Sequence, residues 1–293
     1  VAALALRRRL PLVSLGILWF FAGHLLTSNV INLELVFEHR NYFPLLGVLL
    51  ALAGLTGLLP ASVDTRAAKL GVAVVVLGFG LLCAVRSATW GHPLLLATDL
   101  VAKNSDSPRA SSDLATLYAS MSDSDPNSPF FTFAMKEFER GAKLPKASPL
   151  PEQGLILMAA TTGQPVDDAW WQAMIDKLAS RPIGPQEAMA VTGLVSQRYE
   201  GIELDDSRLS EAYSTLLSRG GARPGLYLQF GDYALTFLSD EALARQTYVQ
   251  AMDSPGMDRE YALRIIGALV LDGRQDIANA VEARARENGL LAD

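Results

Sequence analysis

The chain has one cysteine, three histidines and none of the common catalytic spacings, and each scarcity removes a class of chemistry. Cys83 lies alone within an apolar run, so it forms no intramolecular disulfide, and metal sites built on several thiolates are excluded. His24, His39 and His92 are far apart in sequence and show no metal-ligand spacing. Neither a metal nor a cofactor is expected. The spacings G-x-S-x-G, H-E-x-x-H and the phosphate-cradling Walker loop are missing. Charged residues make up 19% of the chain, the net charge is -6 and no basic stripe is present, which argues against nucleic acid as a partner.

Apolar residues are abundant, and they are concentrated in the first 85 positions. Three runs of 16 or 17 residues stand there, at about 10–26 (LPLVSLGILWFFAGHLL), 44–59 (PLLGVLLALAGLTGLL) and 70–85 (LGVAVVVLGFGLLCAV). A bilayer-crossing helix needs roughly 17–25 residues. Three such runs are hard to bury in so short a stretch, so the reading is a membrane domain over 1–89 with three transmembrane helices. Arg7, Arg8 and Arg9 before the first run would also suit a signal peptide, but no convincing small-x-small site follows Leu26 and two more apolar runs come after it. The triple Arg, and Arg66 with Lys69 between the second and third runs, place the N-terminus and that loop in the cytoplasm. By parity the loop 27–43 and everything after Val85 lie on the far side, which in a bacterial inner-membrane protein is the periplasm.

From Trp90 onward apolar residues recur at three-to-four spacing, broken every 12–20 residues by Pro, Gly, Ser or Asp clusters. Ser107-Pro108, Ser128-Pro129 and Gly184-Pro185 mark helix starts, and Gly141, Gly201, Gly220 and Gly289 mark stops. About eleven helices and no strand are expected; LYLQF at 226–230 continues a helical spacing through Leu235 and is read as helix. Ala244, Tyr248 and Ala251 followed by Pro255, with Phe230-Gly231 upstream, fit the small-aromatic-small packing of a 34-residue tetratricopeptide repeat. Leu114-Ala115 with Tyr118, then Ala134, Phe138 and Ala142, fit another with an enlarged loop. The fold class is therefore all-α: three transmembrane helices followed by a degenerate tetratricopeptide-like helical-repeat domain over 90–293. Its concave face is a candidate site for a protein partner.

Two local features bear on chemistry. Adjacent Trp170 and Trp171 point about 100° apart on a helix, so one is core and the other is a boundary residue or a stacking platform. The acid pairs Asp167-Asp168 and Asp205-Asp206 precede helices and read as caps.

The segment FEHRNYFP at 37–44 places Glu38, His39, Arg40 and Asn41 in a row beside a membrane span, where charge is costly unless paired. Arg40 either pairs with Glu34 or Glu38 of its own loop, or, with donors from His39, Asn41 and Tyr42, grips the phosphate of a lipid-linked substrate. A guanidinium suits the second role because its planar donors meet phosphate oxygens two at a time.

FFAGHLLTSNVINLELVFEHRNYFPLLG, with an acid followed by Arg40, Tyr42, Pro44 and Gly47, resembles a late membrane segment of bacterial proteins related to the TMTC-type protein O-mannosyltransferases. The stretch RSATWGHPLLLATDLVAKNSDSPRASSDLATLY resembles the junction from their membrane domain into the repeats. The resemblance covers 17 to about 120 by motif and the remainder by architecture. It implies a membrane-anchored periplasmic repeat protein, the C-terminal part or a partner subunit of a glycosyltransferase using a polyprenyl-phosphate-linked sugar. Such transferases carry their acidic catalytic residue on an N-terminal membrane portion not found in this sequence, so no catalytic residue is assigned, and Glu34 and Glu38 are not given that role. Leu45 departs from the small hydroxylated residue expected after Pro44. The reading of a different class is a non-catalytic inner-membrane scaffold that binds envelope or pilus proteins.

Overall fold

The computed structural model describes residues 2–25, 41–58 and 65–291. The described residues are all-α, with no strand. Two compact units divide the chain, Val1–Val85 and Arg86–Asp293.

In the first unit, α1 (Ala2–Leu6) turns through the exposed Arg7, Arg8 and Arg9 into α2 (Pro11–Leu25). The Ser14 hydroxyl donates to the Ala3 carbonyl at 2.7 Å and ties the two together. α3 (Tyr42–Leu55) runs on into a 3-10 turn, Thr56–Leu58. α2 and α3 meet through glycine: a Cβ on Gly16 would stand 2.3 Å from the Gly47 carbonyl oxygen, and one on Gly47 would stand 2.5 Å from that of Gly16. Gly54 lies equally tight against Val13. Small residues at such spacing let two apolar helices bring their backbones together, a device common between helices in lipid. Trp19 adds an indole hydrogen bond to the Phe43 carbonyl at 2.9 Å. The opposite faces carry exposed Leu15, Leu18, Phe21, Leu45, Leu49 and Leu52.

α4 (Thr65–Trp90) is different in kind. Its Arg66–Trp90 stretch of 25 residues is long and apolar enough to cross a bilayer, and none of it is buried. α2, at 15 residues, is about 22 Å long, short of the roughly 30 Å of hydrocarbon in a typical bilayer. The structure thus supplies one clear spanning candidate, where the apolar runs predict three. α2 is described to Leu25 and α3 with its 3-10 turn to Leu58, whereas α4 is described over its whole length and extends through its flanking Arg66, Lys69 and Arg86.

The second unit contains eleven α-helices among its described residues: α5 (Pro93–Lys103), α6 (Pro108–Ser122), α7 (Pro129–Ala142), α8 (Leu150–Thr161), α9 (Asp168–Ser180), α10 (Pro185–Tyr199), α11 (Asp206–Ser218), α12 (Pro224–Tyr233), α13 (Glu241–Ala251), α14 (Arg259–Leu271) and α15 (Gln275–Glu287). Most consecutive helices pair, α9 with α10 and α13 with α14 being exceptions, and some helices two apart also touch. Contacts α6 to α8, α8 to α10 and α10 to α12 join the even members into one row, while α9 to α11 and α13 to α15 join odd members into a second. This two-row stacking of helix pairs is the geometry of a helical solenoid. LYLQF lies in α12, which runs on through a single π-helical turn, Ala234–Leu238, closed by Ser239 in the left-handed region at φ 53°.

Predicted caps form where the chemistry requires. The hydroxyls of Ser107 and Ser128 accept from the backbone N–H groups of Ala110 and Phe130, and Glu187 reaches back to the Gly184 N–H at 3.1 Å. Gly201, Gly220 and Gly289 have positive φ, as stops should. Gly141 does not: it lies inside α7, and its missing Cβ makes room for Ser111, whose Oγ would be 2.6 Å away. The same physics governs Gly231, where a Cβ would meet the Tyr248 ring at 2.7 Å. The aromatic of α13 fills the space the glycine of α12 leaves, as the repeat spacing requires. Around it the main core stacks Tyr213 on Phe230 with ring centroids 4.6 Å apart, and Tyr233, Leu194, Leu216 and Val281 complete it.

Candidate functional site

Of the residues proposed to grip a lipid phosphate, Glu34, Glu38, His39 and Arg40 lie outside the described residues. Asn41 and Tyr42 are described. Asn41 is the N-cap of α3, with its side chain making no capping bond, and Tyr42 is exposed beside it. Both therefore sit at the start of α3. Pro44 and Gly47 of the same segment serve packing: Pro44 covers Gly23, and Gly47 meets Gly16.

The second unit places three polar clusters against its cores. In the first, Glu152, only 2% exposed at the start of α8, accepts from the Lys177 ammonium of α9 at 2.6 Å. Its second oxygen, Oε2, is buried and has no partner. Lys177 also donates to the carbonyls of Ala142 and Ser148, at 3.0 and 3.2 Å. Burial pushes the Glu152 carboxyl up, and the hydrogen bond and charge of Lys177 pull it back in part. A cavity of about 390 Å³ adjoins this pair, walled by Trp170, Leu155 and Ala173. Trp171 is core at 2% exposure, and Trp170 packs partly buried between the two apolar clusters. Of the two alternatives for the outer tryptophan, the structure gives the boundary position, with one edge on a cavity. Sequence reasoning passed over Glu152; the signal was an acid in the first turn of an otherwise apolar helix.

In the second cluster Asp206 accepts from Arg198 Nε and Nη2 at 3.0 and 3.1 Å and from the Tyr233 hydroxyl at 2.6 Å. Arg198 stacks over Phe237, 4.6 Å from the ring centre. Burial opposes the Asp206 charge, but the bonds from Arg198 and Tyr233 outweigh it and hold the carboxyl low. The third cluster is the bond from the Tyr248 hydroxyl to Asp232. The acid pairs divide their labour: Asp167 and Asp205 are N-caps, accepting at 2.9 Å from the Ala169 N–H and at 3.0 Å from the Ser207 N–H, whereas Asp168 pairs with Arg208 and Asp206 with Arg198.

None of these clusters sets a nucleophile beside a base, since each carboxylate is engaged by a cation or a phenol that holds it in place. Among the described residues no group of three or more His, Cys, Asp or Glu could hold a metal. The clusters are joints between helices. Comparison of the chain with protein-family profiles, curated proteins and solved structures finds no match.

Proposed function

We propose that the protein is a membrane-anchored scaffold whose tetratricopeptide-like repeat domain holds a protein partner at the membrane face. The observation that carries this is α4, a 25-residue apolar helix with no buried stretch. A core helix of a soluble domain would be covered, and a signal sequence would stand at the N-terminus; α4 is neither. Lipid satisfies such a helix, because its backbone bonds are internal and its side chains meet acyl tails. The glycine-to-glycine seam between α2 and α3 supports a second membrane element, and a three-span arrangement follows if that hairpin crosses a locally thinned bilayer. The clustered Arg7, Arg8 and Arg9 then favour a cytoplasmic N-terminus and a periplasmic repeat domain.

The test is extraction. Full-length protein should stay in the membrane pellet through high salt and alkaline carbonate and be released by detergent, whereas a chain beginning at His92 should be soluble. Release of the full chain by carbonate alone would overturn the anchor.

A second reading is favoured by the N-terminus of α3, where the Asn41 side chain makes no cap and Tyr42 is exposed. There the protein is the C-terminal part or a partner subunit of a lipid-linked-sugar glycosyltransferase, with Arg40, His39, Asn41 and Tyr42 on the phosphate. Arg40→Lys should then weaken binding of a polyprenyl-phosphate sugar in a complex shown to bind it, without lowering the thermal midpoint. Unchanged donor binding leaves the scaffold reading alone.

A further inference from the structure

A recurrent bond links the ends of successive odd-numbered helices of the repeat domain. In each case a cationic or amide side chain near the C-terminus of one helix donates to a backbone carbonyl at the C-terminus of the odd helix before it. Arg140 of α7 donates to the Ser105 carbonyl just past α5 at 2.8 Å. Lys177 of α9 donates to the Ala142 carbonyl of α7 at 3.0 Å, and Arg181, the C-cap of α9, to those of Lys146 and Ala147 at 3.1 and 3.2 Å. Arg219, the C-cap of α11, donates to the Ala179 carbonyl of α9. Asn288, the C-cap of α15, donates to the Met252 carbonyl at 3.0 Å, while Arg284 pairs with Asp253. For the Ala142, Ala179 and Met252 carbonyls, which lie at helix ends, the physical reason is common. The last carbonyls of a helix lack intrahelical donors and carry the negative end of its dipole, so a cation there is favoured twice over.

One step of the series is interrupted. The C-cap of α13 is Met252, an apolar side chain buried at 2% exposure, which cannot donate to α11. α11 and α13 do not pack closely, as α5 and α7 or α7 and α9 do not either, so the missing donor is what sets this step apart. At this step a cavity of about 570 Å³ opens, lined by Ser218, Gly220 and Gly221 at the end of α11, by Tyr227 of α12, and by Gln246 and Gln250 of α13. Asp253 stands at its edge, and with the burial of the ring its charge pushes the Tyr227 phenol up, keeping it neutral.

We propose that this cavity receives an arginine side chain from the protein partner, which takes the place that Arg181, Arg219 and Asn288 hold at the other steps. The charge of the site fits the occupant. The negative end of the α11 dipole lies there, and Gln246, Gln250 and Tyr227 supply acceptors for guanidinium N–H groups and donors for a peptide carbonyl, while Asp253 is already taken by Arg284 and Asn288. A peptide arginine rather than a small metal cation suits a space this large, since Arg140, Lys177, Arg181 and Arg219 reach their carbonyls on long side chains. The repeat domain also favours a basic partner: the net charge of -6 belongs to a chain whose first 85 residues hold more Arg and Lys than Asp and Glu, so the excess acid lies in the repeats.

The proposal rests on the partner-binding reading. Its test uses the full chain in detergent and a fluorescein-labelled Gly/Ser decapeptide with one central arginine, compared with the same peptide carrying citrulline, which keeps the shape and loses the charge. The arginine peptide should bind at least about fivefold tighter by fluorescence anisotropy, as a charge-assisted contact should. Gln250→Arg, which puts a resident guanidinium on the cavity wall, should lower that affinity at least about fivefold with the thermal midpoint unchanged. Gln172→Arg, the same charge on exposed α9, should leave it within about twofold. Absence of binding, equal binding of the two peptides, or equal loss in both variants would overturn the cavity assignment. Such a failure with the chain still held in membranes leaves the scaffold reading standing.

Discussion

Glu152 and Lys177 form an asymmetric pair, and the asymmetry is measurable. Lys177 has two backbone carbonyls besides the carboxylate, whereas Glu152 has only Lys177 and keeps one orphan oxygen. Lys177→Met therefore strands a buried carboxylate and should cost about 3–5 kcal/mol at pH 7, while Glu152→Gln should cost about 1 kcal/mol. The pH dependence has a definite sign. Burial already raises the Glu152 carboxyl above its ordinary value, so the folded state binds the proton more tightly than the unfolded chain. Ionisation then costs stability as pH rises from the ordinary carboxylate range toward the raised value, and acidification relieves it. In Lys177→Met that relief should be larger, so its deficit should shrink between pH 7 and pH 5 in urea melts, while that of Glu152→Gln should grow, because wild type gains the relief on acidification and the amide does not. A second residue-scale contrast concerns glycine. Gly231→Ala drives a methyl into the Tyr248 ring, 2.7 Å from the would-be Cβ, and should destabilise by about 1–3 kcal/mol. Gly267→Ala on α14 meets nothing within 4 Å and should stabilise by about 0.5–1 kcal/mol through helix propensity. Thermal or urea midpoints that move the same way for both would contradict the packing account. Gly231 was legible in the sequence because its aromatic partner stands at the repeat spacing. Gly141 was misread as a stop because its need for a small side chain comes from Ser111 on another helix.

At the scale of elements, α4 and the α2/α3 hairpin are both apolar, yet they solve the burial problem differently. α2 and α3 cover each other along a glycine seam, and α4 is covered by nothing along its length. Cys83, exposed on α4 and the single cysteine of the chain, reports on this directly. In intact membranes it should resist a membrane-impermeant maleimide and should react once detergent is added, because a thiol surrounded by acyl chains is out of the reagent's reach. Ready labelling before detergent would place α4 in water and sink the anchor. The helix boundaries of the repeat domain were readable from local chemistry, since Ser-Pro starts and glycine stops act within a turn. The ladder of Arg, Lys and Asn side chains was not readable. Its donors and acceptors lie 34 to 40 residues apart, and nothing local distinguishes those side chains from ordinary surface polar groups.

For the whole molecule, residues 92–293 expressed alone should be soluble, should show a helical circular-dichroism spectrum without a strand component, and should melt cooperatively, because each helix pair buries its apolar face on its neighbours. Precipitation, or a substantial strand signal, would contradict the two-row stacking. The sequence by itself determined the division into an apolar N-terminal part and a helical C-terminal part, the all-α class and the small-aromatic packing of the best repeat. These follow from composition and from a 3.6-residue period, which act between near neighbours. Tertiary structure alone decided that α2 and α3 pack along a glycine seam while α4 stays uncovered, and which tryptophan faces the core. It also stranded Glu152 with one oxygen unpaired and broke the cation ladder between α11 and α13, beside a cavity. Each of those outcomes depends on residues brought together from separate helices, where packing space and unpaired carbonyls, rather than local preference, set the energy.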